Sequence, residues 1–529
     1  MSKVAKATIG LMLATIIAKV LGFGRELVLA AVYGASMYSD AYLTAMNIPV
    51  VLFTIIGTTL GTVLIPMYFE VNNDLGEKKA LNFTNNVFNI VIAICIVLAI
   101  LGFIFTEQLV KVFAMGFEGQ TLKIAIDFTR ITIIGIVFTG LSYVMTAYLQ
   151  IKNNFTVPGL ISVPKNIIII TSIILSVKYN PYIMIWGTLI GIATEFIFQL
   201  PFAIKSGYKY QLYINIKDKY IKKMSWLIGP VLIGVAVNQI NTMVDRTLAS
   251  TLVEGSISAL NYANKLNGFV MALFITSVGA VIYPMLSKLS SEDNKEKFIS
   301  SVVQSINSVI LLVIPISIGA IVLATPIVKL LFQRGEFDAR ATSMTAIALI
   351  MYSIGMVAFG LRDIIGKVFY ALKDTKTPMI NGAIAMIMNI VLNIILVKYL
   401  QLAGLALATS ISAIVCIFLL FGSLKKKIGY FGQDKIIKTT IKSIVAAVVM
   451  GIVTYFVYNI VSNLLGLGFA KEAVSLAISV GVGAITYGIL VVVLKVDEIN
   501  VITDVMKKKL NKVASVSYTH LRAHETRSN

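Results

Sequence analysis

Residues 80–105 read ALNFTNNVFNIVIAICIVLAILGFIF, a run without a charged side chain that follows Lys78 and Lys79 directly. Wound as a helix, it is long enough for a hydrocarbon core of roughly 30 Å, which needs about 20 apolar residues. Outward from this segment, comparable stretches recur about fourteen times, almost all bounded by Lys or a turn signal. They are expected at residues 6–33, 39–69, 80–105, 125–151, 158–177, 181–204, 224–252, 256–286, 298–323, 342–372, 379–397, 402–424, 437–461 and 473–494. The 529-residue chain is 57% hydrophobic and 13% charged, with a mean hydropathy of +0.88. The class that follows is an all-α polytopic membrane protein. Several spans exceed what a bilayer needs and are expected to tilt or break, the first at Gly22-Phe23-Gly24 and the second at Pro49.

Composition removes several kinds of chemistry. Cys95 and Cys416 both fall inside spans, so neither a disulfide framework nor a metal cluster is suggested. Residues from about Val516 onward resemble the translation of a sequencing adaptor and are set aside; His520 and His524 both lie there. What remains has no histidine, which excludes histidine acid–base catalysis, histidine metal ligation and a Ser-His-Asp triad. The first apolar run is followed by no small-residue cleavage site, so no removable signal peptide is expected. No Gly-rich nucleotide loop occurs either. No cofactor is expected; energy would come from an ion gradient such as Na⁺, the membrane potential or a partner.

The net charge of +20 is concentrated in alternate connections. One set carries Lys78 and Lys79, Lys152, Lys205 through Lys223, Lys288 through Lys297, Lys373 and Lys376, Lys425 through Lys438, and Lys507 through Lys509. The opposite set holds only about eight basic residues, among them Lys111, Lys178, Arg334 and Arg340. This is the positive-inside pattern, not a nucleic-acid surface, and it puts both termini in the cytoplasm.

The chain also repeats itself. Gly61-Thr62-Val63-Leu64-Ile65-Pro66-Met67 closes the second span and Gly279-Ala280-Val281-Ile282-Tyr283-Pro284-Met285 the eighth. Tyr148, Lys152 and Pro158 after the fourth span are matched by Tyr370, Lys373 and Pro378 after the tenth. Both matches share an offset of about 220 residues, six spans apart, which gives a parallel repeat about an axis along the membrane normal. The expected organisation is a six-helix lobe at 1–215, a second at 216–430, two extra helices and a short tail at 431–515, and the set-aside segment 516–529.

Charges inside spans need a reason, since an unpaired one costs several kcal/mol. Lys19, Arg25 and Glu26 stand in the first span. Lys19 leaves the Arg25 face by strict helical spacing, and a break at Gly22–Gly24 would bring both into one cavity. The plainer alternative is that Arg25 bridges to Glu26 or Asp40. At the repeat offset Arg25 meets Arg246, beside Asp245, and Asn47 meets Lys265. Lys19, Arg25, Arg246 and Lys265 together suit a polyanion such as a diphosphate; headgroup snorkelling is the alternative. Asp363 with Lys367, and Asp127 with Arg130, read as self-satisfied pairs. Lys165 and Glu195 have no evident reason. Asp245, Asn389, Asn393 and Thr409 form a candidate Na⁺ set, with interhelical hydrogen bonding by Asn as the alternative. Gly57 and Gly61 read as a helix-packing face.

Four motifs carry a resemblance: VLGFGRE at 20–26, SDAY at 39–42, LFQRGEFDA at 331–339 and FYALKDTKTP at 369–378. Together they resemble the MurJ (MviN) lipid II flippases of the multidrug/oligosaccharidyl-lipid/polysaccharide exporter superfamily, over the chain to about residue 510. The resemblance implies a V-shaped pair of six-helix lobes, with two further helices forming a groove for a polyprenyl tail. It implies flipping of the undecaprenyl-diphosphate-linked peptidoglycan precursor to the outer leaflet by alternating access, for cell-wall synthesis. Partners would be lipid II or a similar polyprenyl-diphosphate glycolipid, membrane lipids and cell-wall synthesis proteins. Arg25, Glu26 and Asp40 match the family's cavity residues. Lys19 and Lys265 stand where many members have Arg, and Phe53 and Thr54 where many have arginines after the proline. Rival readings are a flippase for another lipid-linked oligosaccharide, a drug/cation antiporter, and a non-transporting scaffold for cell-wall assembly.

Overall fold

In a bilayer the backbone must satisfy its own N–H and C=O groups, and helices do so within each segment. The computed structural model describes residues 3–292, 294–466, 468–496 and 498, and no strand occurs among them. The adaptor-like segment from Val516, the lysines 507–509 and the rest of the tail lie outside the described residues. The helices are α1 (Lys3–Tyr33), α2 (Met37–Leu75), α3 (Glu77–Ile104), α4 (Thr106–Phe113), α5 (Gly119–Thr132), α6 (Gly135–Ile151), α7 (Thr156–Leu160), α8 (Ser162–Lys178) and α9 (Tyr182–Lys205). They continue with α10 (Lys219–Ala249), α11 (Ser256–Val270), a π turn at Met271–Ile275, α12 (Thr276–Ser291), α13 (Lys295–Val322), α14 (Ala324–Phe332), α15 (Ala339–Ile354) and α16 (Met356–Ala371). α17 (Lys376–Ile428), α18 (Gln433–Leu465) and α19 (Phe469–Val493) complete the series.

Eight of these helical segments are long and apolar enough to cross a membrane, or ten if each bent pair is one span. The expected fourteen are not all recovered by that measure. The fourth and tenth spans are each broken, α5 to α6 by 40° and α15 to α16 by 45°. The eleventh and twelfth run together as α17, which turns sharply at Gln401 (φ 49°, ψ −128°). The break expected at Gly22–Gly24 does not occur: α1 passes through both glycines, and α2 through Pro49 and Pro66.

The repeat is written into the element bounds. α3 and α13 are both 28 residues long and start 218 apart, at Glu77 and Lys295. α4 and α14 start at the same separation, Thr106 and Ala324. The turn after α6 recurs after α16 in its hydrogen bonds and in its strain. Asn153 (φ 60°) and Lys373 (φ 57°) both take the left-handed conformation, which costs a side chain about 1 kcal/mol. The next residue donates back to the helix each time, Asn154 to Leu149 at 2.8 Å and Asp374 to Phe369 at 2.9 Å. Its side chain then caps the following helix, Asn154 accepting from Val157 N (3.2 Å) and Asp374 from Thr377 N (3.0 Å).

Contacts divide the chain into two compact units. One contains the residues to Lys265 with Leu331–Ala348 and Met386–Ala408; the other contains Leu266–Leu330, Leu349–Ala385 and the described residues from Thr409. In the first, α2 packs on α3, α5, α6 and α10, and α1 lies along α8. The α8–α9 hairpin is tight because Gly187 faces Ser172, where a Cβ would stand 2.1 Å from the serine Cβ. In the second, α13 packs on α16 and α18 through Val302, Ile306, Val309 and Val313 against Ile364, Ile365, Val368 and Phe369. α18 and α19 form a hairpin there, with Tyr487 donating to the Leu311 carbonyl at 2.9 Å.

Candidate functional site

One face of α1, positions 15, 18, 22 and 25, lines a cavity of about 350 Å³ with Lys19, Gly159, Ser162, Lys165 and Asn166. The spacing is that of a helix stripe, and Lys19 joins from its edge because its stem is long enough to reach round. Gly22 keeps the wall thin: a Cβ there would sit 3.8 Å from Asn166 Nδ2, and beside Gly24 nothing stands within 4 Å. Small residues here make room for a polar cavity without interrupting the helix. Arg25 is 19% exposed and donates to Asn166 Oδ1 at 3.5 Å. Lys19 is exposed and has no carboxylate partner among the described residues.

Glu26 is the counter-ion of this cluster. Buried to 2%, it accepts from Arg25 Nη2 at 2.7 Å and from Asn261 Nδ2 at 3.0 Å, with Lys265 Nζ 4.0 Å away. The plainer reading of Arg25 as a bridge to Glu26 is therefore realised, and Glu26 is fitted to hold cations on α1 and α11 rather than to meet an anion. Lys265 is not among the residues lining the cavity; around Glu26 it joins Arg25, and with Lys19 the three cations outnumber that carboxylate by two. A polar concavity with surplus cations inside a membrane helix attracts a polyanion.

Asp40 has a different place. Its Oδ2 accepts from Gly255 N and its Oδ1 from Ser258 N, both at 2.8 Å, and from Ser258 Oγ at 2.5 Å. Both oxygens are filled by the N-terminus of α11, so Asp40 is a helix cap and not an open ligand. The favour is returned: Glu254, just before α11, accepts from Met37 N at the start of α2 (2.7 Å). Two neighbouring contacts obey the same symmetry. Gly335 N-terminal to α15 approaches Ala31, where a Cβ would come 2.1 Å from the carbonyl, and Glu336 N donates to that carbonyl at 2.9 Å. Gly116, 219 residues before Gly335, approaches Ser250, 219 after Ala31; a Cβ would come 2.4 Å from its carbonyl, and Gly116 N donates to its hydroxyl at 3.0 Å. Phe23, Tyr262, Phe332 and Phe337 pack as an aromatic cluster beside this junction.

The remaining expected residues are dispersed. Arg246 donates to the Leu43 carbonyl at 2.9 Å, which ties α10 to α2, and it is not among the residues lining the α1 cavity. Asn47 is half-buried on α2 and its Oδ1 accepts no hydrogen bond among the described residues. Asn393 Nδ2 donates to Asp245 Oδ1 at 2.5 Å and to Asn389 Oδ1 at 3.0 Å, so two oxygens converge on one amide. This is the hydrogen bonding by Asn given above as the alternative to an ion site; Thr409 belongs to the other unit. Asp363 and Lys367 pair at 2.5 Å as expected. Asp127 and Arg130 do not: Asp127 accepts from Tyr182 Oη at 2.7 Å while Arg130 lies over the Phe103 ring. Gly57 is close-packed against Phe53 and Tyr143, whereas Gly61 meets nothing within 4 Å.

Sequence reasoning missed Asn166, Asn261 and Glu254. The signal for the first two is a polar amide in an apolar span, which asks for a partner. Outside the spans, Asp374 is held at about 2 by the hydrogen bond from Lys427 (2.5 Å) and by Thr377 N. Lys152 donates to Glu77, also at 2.5 Å.

The all-helical architecture, with part-buried ion pairs and a cationic cavity between helices, defines the fold of a multi-pass membrane protein. A multidrug-resistance MATE family transporter in an inward-facing conformation shares that fold at TM-score 0.65, 14% identity, 79% of this chain and 98% of the other. Residues 29–496 match the family described as "Lipid II flippase MurJ", and the chain belongs to that family. A solved "Lipid II flippase MurJ, inward closed conformation" superposes at TM-score 0.78 with 29% identity, over 92% of this chain and 99% of that one. The "Probable lipid II flippase MurJ" of Buchnera aphidicola subsp. Baizongia pistaciae is 29% identical over 464 residues, covering 87% of this chain and 90% of that protein.

Proposed function

We propose that this protein moves lipid II, the polyprenyl-diphosphate-linked peptidoglycan precursor, from the inner to the outer leaflet of the bacterial cytoplasmic membrane. The observation that carries the reading is the α1 cavity, where Lys19 and Arg25 of α1 stand with Lys165 of α8. A diphosphate crossing the bilayer needs cations that travel part-desolvated, and Arg25 is oriented for it by Glu26 and Asn166. No covalent bond is made or broken in this scheme; the protein acts as a transporter. Residues 1–215 and 216–430 act as the two moving lobes, and α18 and α19 supply the surface along which the lipid tail stays in the membrane.

On the orientation that the lysine-rich connections favour, both termini are cytoplasmic and the Asp40–Gly255 junction lies at the outer end. Its reciprocal caps hold that end shut while the headgroup binds from inside; opening it releases the headgroup outside. Glu26 would keep Arg25 and Lys265 together until the substrate's phosphates compete for them. Asp245, Asn389 and Asn393 are the residues that would offer oxygens to Na⁺, which would supply gradient coupling. The test is rescue of a flippase-depleted strain, together with the arrival of labelled lipid II in the outer leaflet. Full rescue by Arg25→Ala would refute the role given to the cavity.

A further inference from the structure

A second cavity, of about 330 Å³, opens between α2, α6, α8 and α9 and shares Lys165 with the first. Its wall is largely apolar, with Met46, Val50, Phe53 and Ile192, and carries a band of hydroxyls and one ion pair from Ser142, Tyr143, Thr146, Lys165 and Glu195. Some of this polarity is already consumed. Gln199 donates to Ser142 Oγ at 2.8 Å and accepts from Thr146 Oγ1 at 2.9 Å, so those two hydroxyls hold the helices together.

Three groups keep unused capacity. Lys165 Nζ donates to Glu195 Oε1 at 3.0 Å and has two further protons. Glu195 Oε2 accepts no hydrogen bond among the described residues, and neither does the Tyr143 hydroxyl find a partner there. The pair is partly open, with side-chain exposures of 22% and 13%. Gly191 fixes its spacing, because a Cβ at that point would lie 3.1 Å from the Lys165 carbonyl. A charged pair within membrane helices that faces a cavity on both sides asks for a function.

We propose that Lys165, Glu195 and Tyr143 form a second headgroup subsite that takes the zwitterionic peptide part of the substrate while the α1 cavity takes its diphosphate. The inference rests on the flippase reading. A cation and a carboxylate side by side, each with a free bonding position, complement a ligand that carries both carboxylates and an amine; a sugar needs only neutral donors and acceptors. The volume is at the low end of ligand pockets, which begin near about 300 Å³, so it fits a portion of a headgroup. Lys165, lining both cavities, would be the point where the two parts of the ligand join.

The experiment compares three lipids on the purified full chain: lipid II, lipid II lacking its peptide, and the precursor lacking the second sugar. Wild-type protein should bind complete lipid II at least tenfold more tightly than the peptide-less form and treat the single-sugar precursor like lipid II. Glu195→Gln and Tyr143→Phe should each abolish most of the peptide-dependent difference, with thermal stability measured on the same samples. Equal wild-type affinity for complete and peptide-less lipid overturns the proposal, as does a preference that follows the second sugar. An equal loss for both lipids in the variants overturns it too. Failure of the wild type to bind any of the three sinks the flippase reading itself.

Discussion

Asp40→Asn isolates the junction between α2 and α11. The substitution preserves size but replaces one acceptor oxygen by an NH₂ that must face Gly255 N or Ser258 N, both now 2.8 Å from a carboxylate oxygen. A hydrogen bond to a charged group is worth about 1.5–3 kcal/mol, and an anion at a helix N-terminus roughly 0.3–1 kcal/mol more. The loss is therefore on the order of 2–4 kcal/mol, drawn from the closed junction alone if the open state lacks it. Each 1.4 kcal/mol is a factor of ten, so the closed-to-open ratio should fall by roughly 30- to 700-fold. Nitroxide labels at Glu118 and Val253, both exposed beside the Gly116–Ser250 contact, report the separation by pulsed EPR. The background would carry Cys95→Ser and Cys416→Ser, since both cysteines are free and buried. Wild type should give one short distance, and Asp40→Asn a growing longer component. Ser258→Ala, which removes one hydroxyl donor and spares the charge, should shift the ratio by about tenfold or less. An Asp40→Asn sample that is folded and gives the wild-type distance distribution would refute the assignment of Asp40 as the cap that holds this end closed.

Gly335→Ala places a Cβ 2.1 Å from the Ala31 carbonyl at φ +58°, a double penalty of roughly 2–4 kcal/mol. If the two contacts open as one it should lengthen the same EPR distance, and a folded variant with the wild-type thermal midpoint would contradict the close approach. Gly187→Ala collides with Ser172 Cβ and should lower the thermal midpoint in detergent by several degrees, about 1–3 kcal/mol of overpacking; Gly61→Ala, with open space around it, should not. The Asp374–Lys427 pair predicts a pH dependence. The Asp374 carboxyl is depressed to about 2, so its stabilisation is complete above its unfolded pKa of about 4 and disappears as pH falls towards 2. The difference in melting temperature between wild type and Asp374→Asn should be flat from pH 5 to 7 and shrink below pH 4, to roughly a third of its neutral value at pH 2.5; an undiminished difference at pH 2.5 would remove the electrostatic explanation. Arg25→Lys should retain more flipping than Arg25→Ala, because charge survives while the fork to Glu26 and Asn166 is lost.

The architecture was legible because lipid leaves so few options: an uncharged run such as 80–105 has to be a spanning helix, and α3 covers it within three residues at each end. The repeat was equally visible, since the Tyr–Lys–Pro pattern after the fourth and tenth spans marks the same left-handed turn at Asn153 and Lys373. Hidden were the breaks. Gly22 and Gly24 advertise a kink, yet α1 is continuous, because glycine permits a bend without causing one; the bends fall at Ile133–Ile134 and Gly355, amid apolar residues. The charges were found but their roles divided, because spacing along one helix says nothing of what stands on the next. Glu26 and Asp40 look alike in sequence, two acids near the start of the chain; one is wrapped by cations from α1 and α11, the other by backbone N–H groups.

The symmetry of the junction carries the argument a step further. Ala31 and Ser250 stand 219 residues apart, as do Gly116 and Gly335, and each glycine approaches the other half's helix end at 2.1–2.4 Å for a notional Cβ. An interface built twice from equivalent residues is self-complementary, and a change in one copy has a twin. The two copies differ in detail: Gly116 N itself bonds a serine hydroxyl, while beside Gly335, which alone of the two has a positive φ (58°), it is the next residue, Glu336, whose N bonds a bare carbonyl. If both halves of the junction open together, Gly116→Ala and Gly335→Ala should be less than additive when combined, because either alone already abandons the shared closed state. Strict additivity in the EPR populations would mean that the two contacts open independently, and that the junction is two latches rather than one.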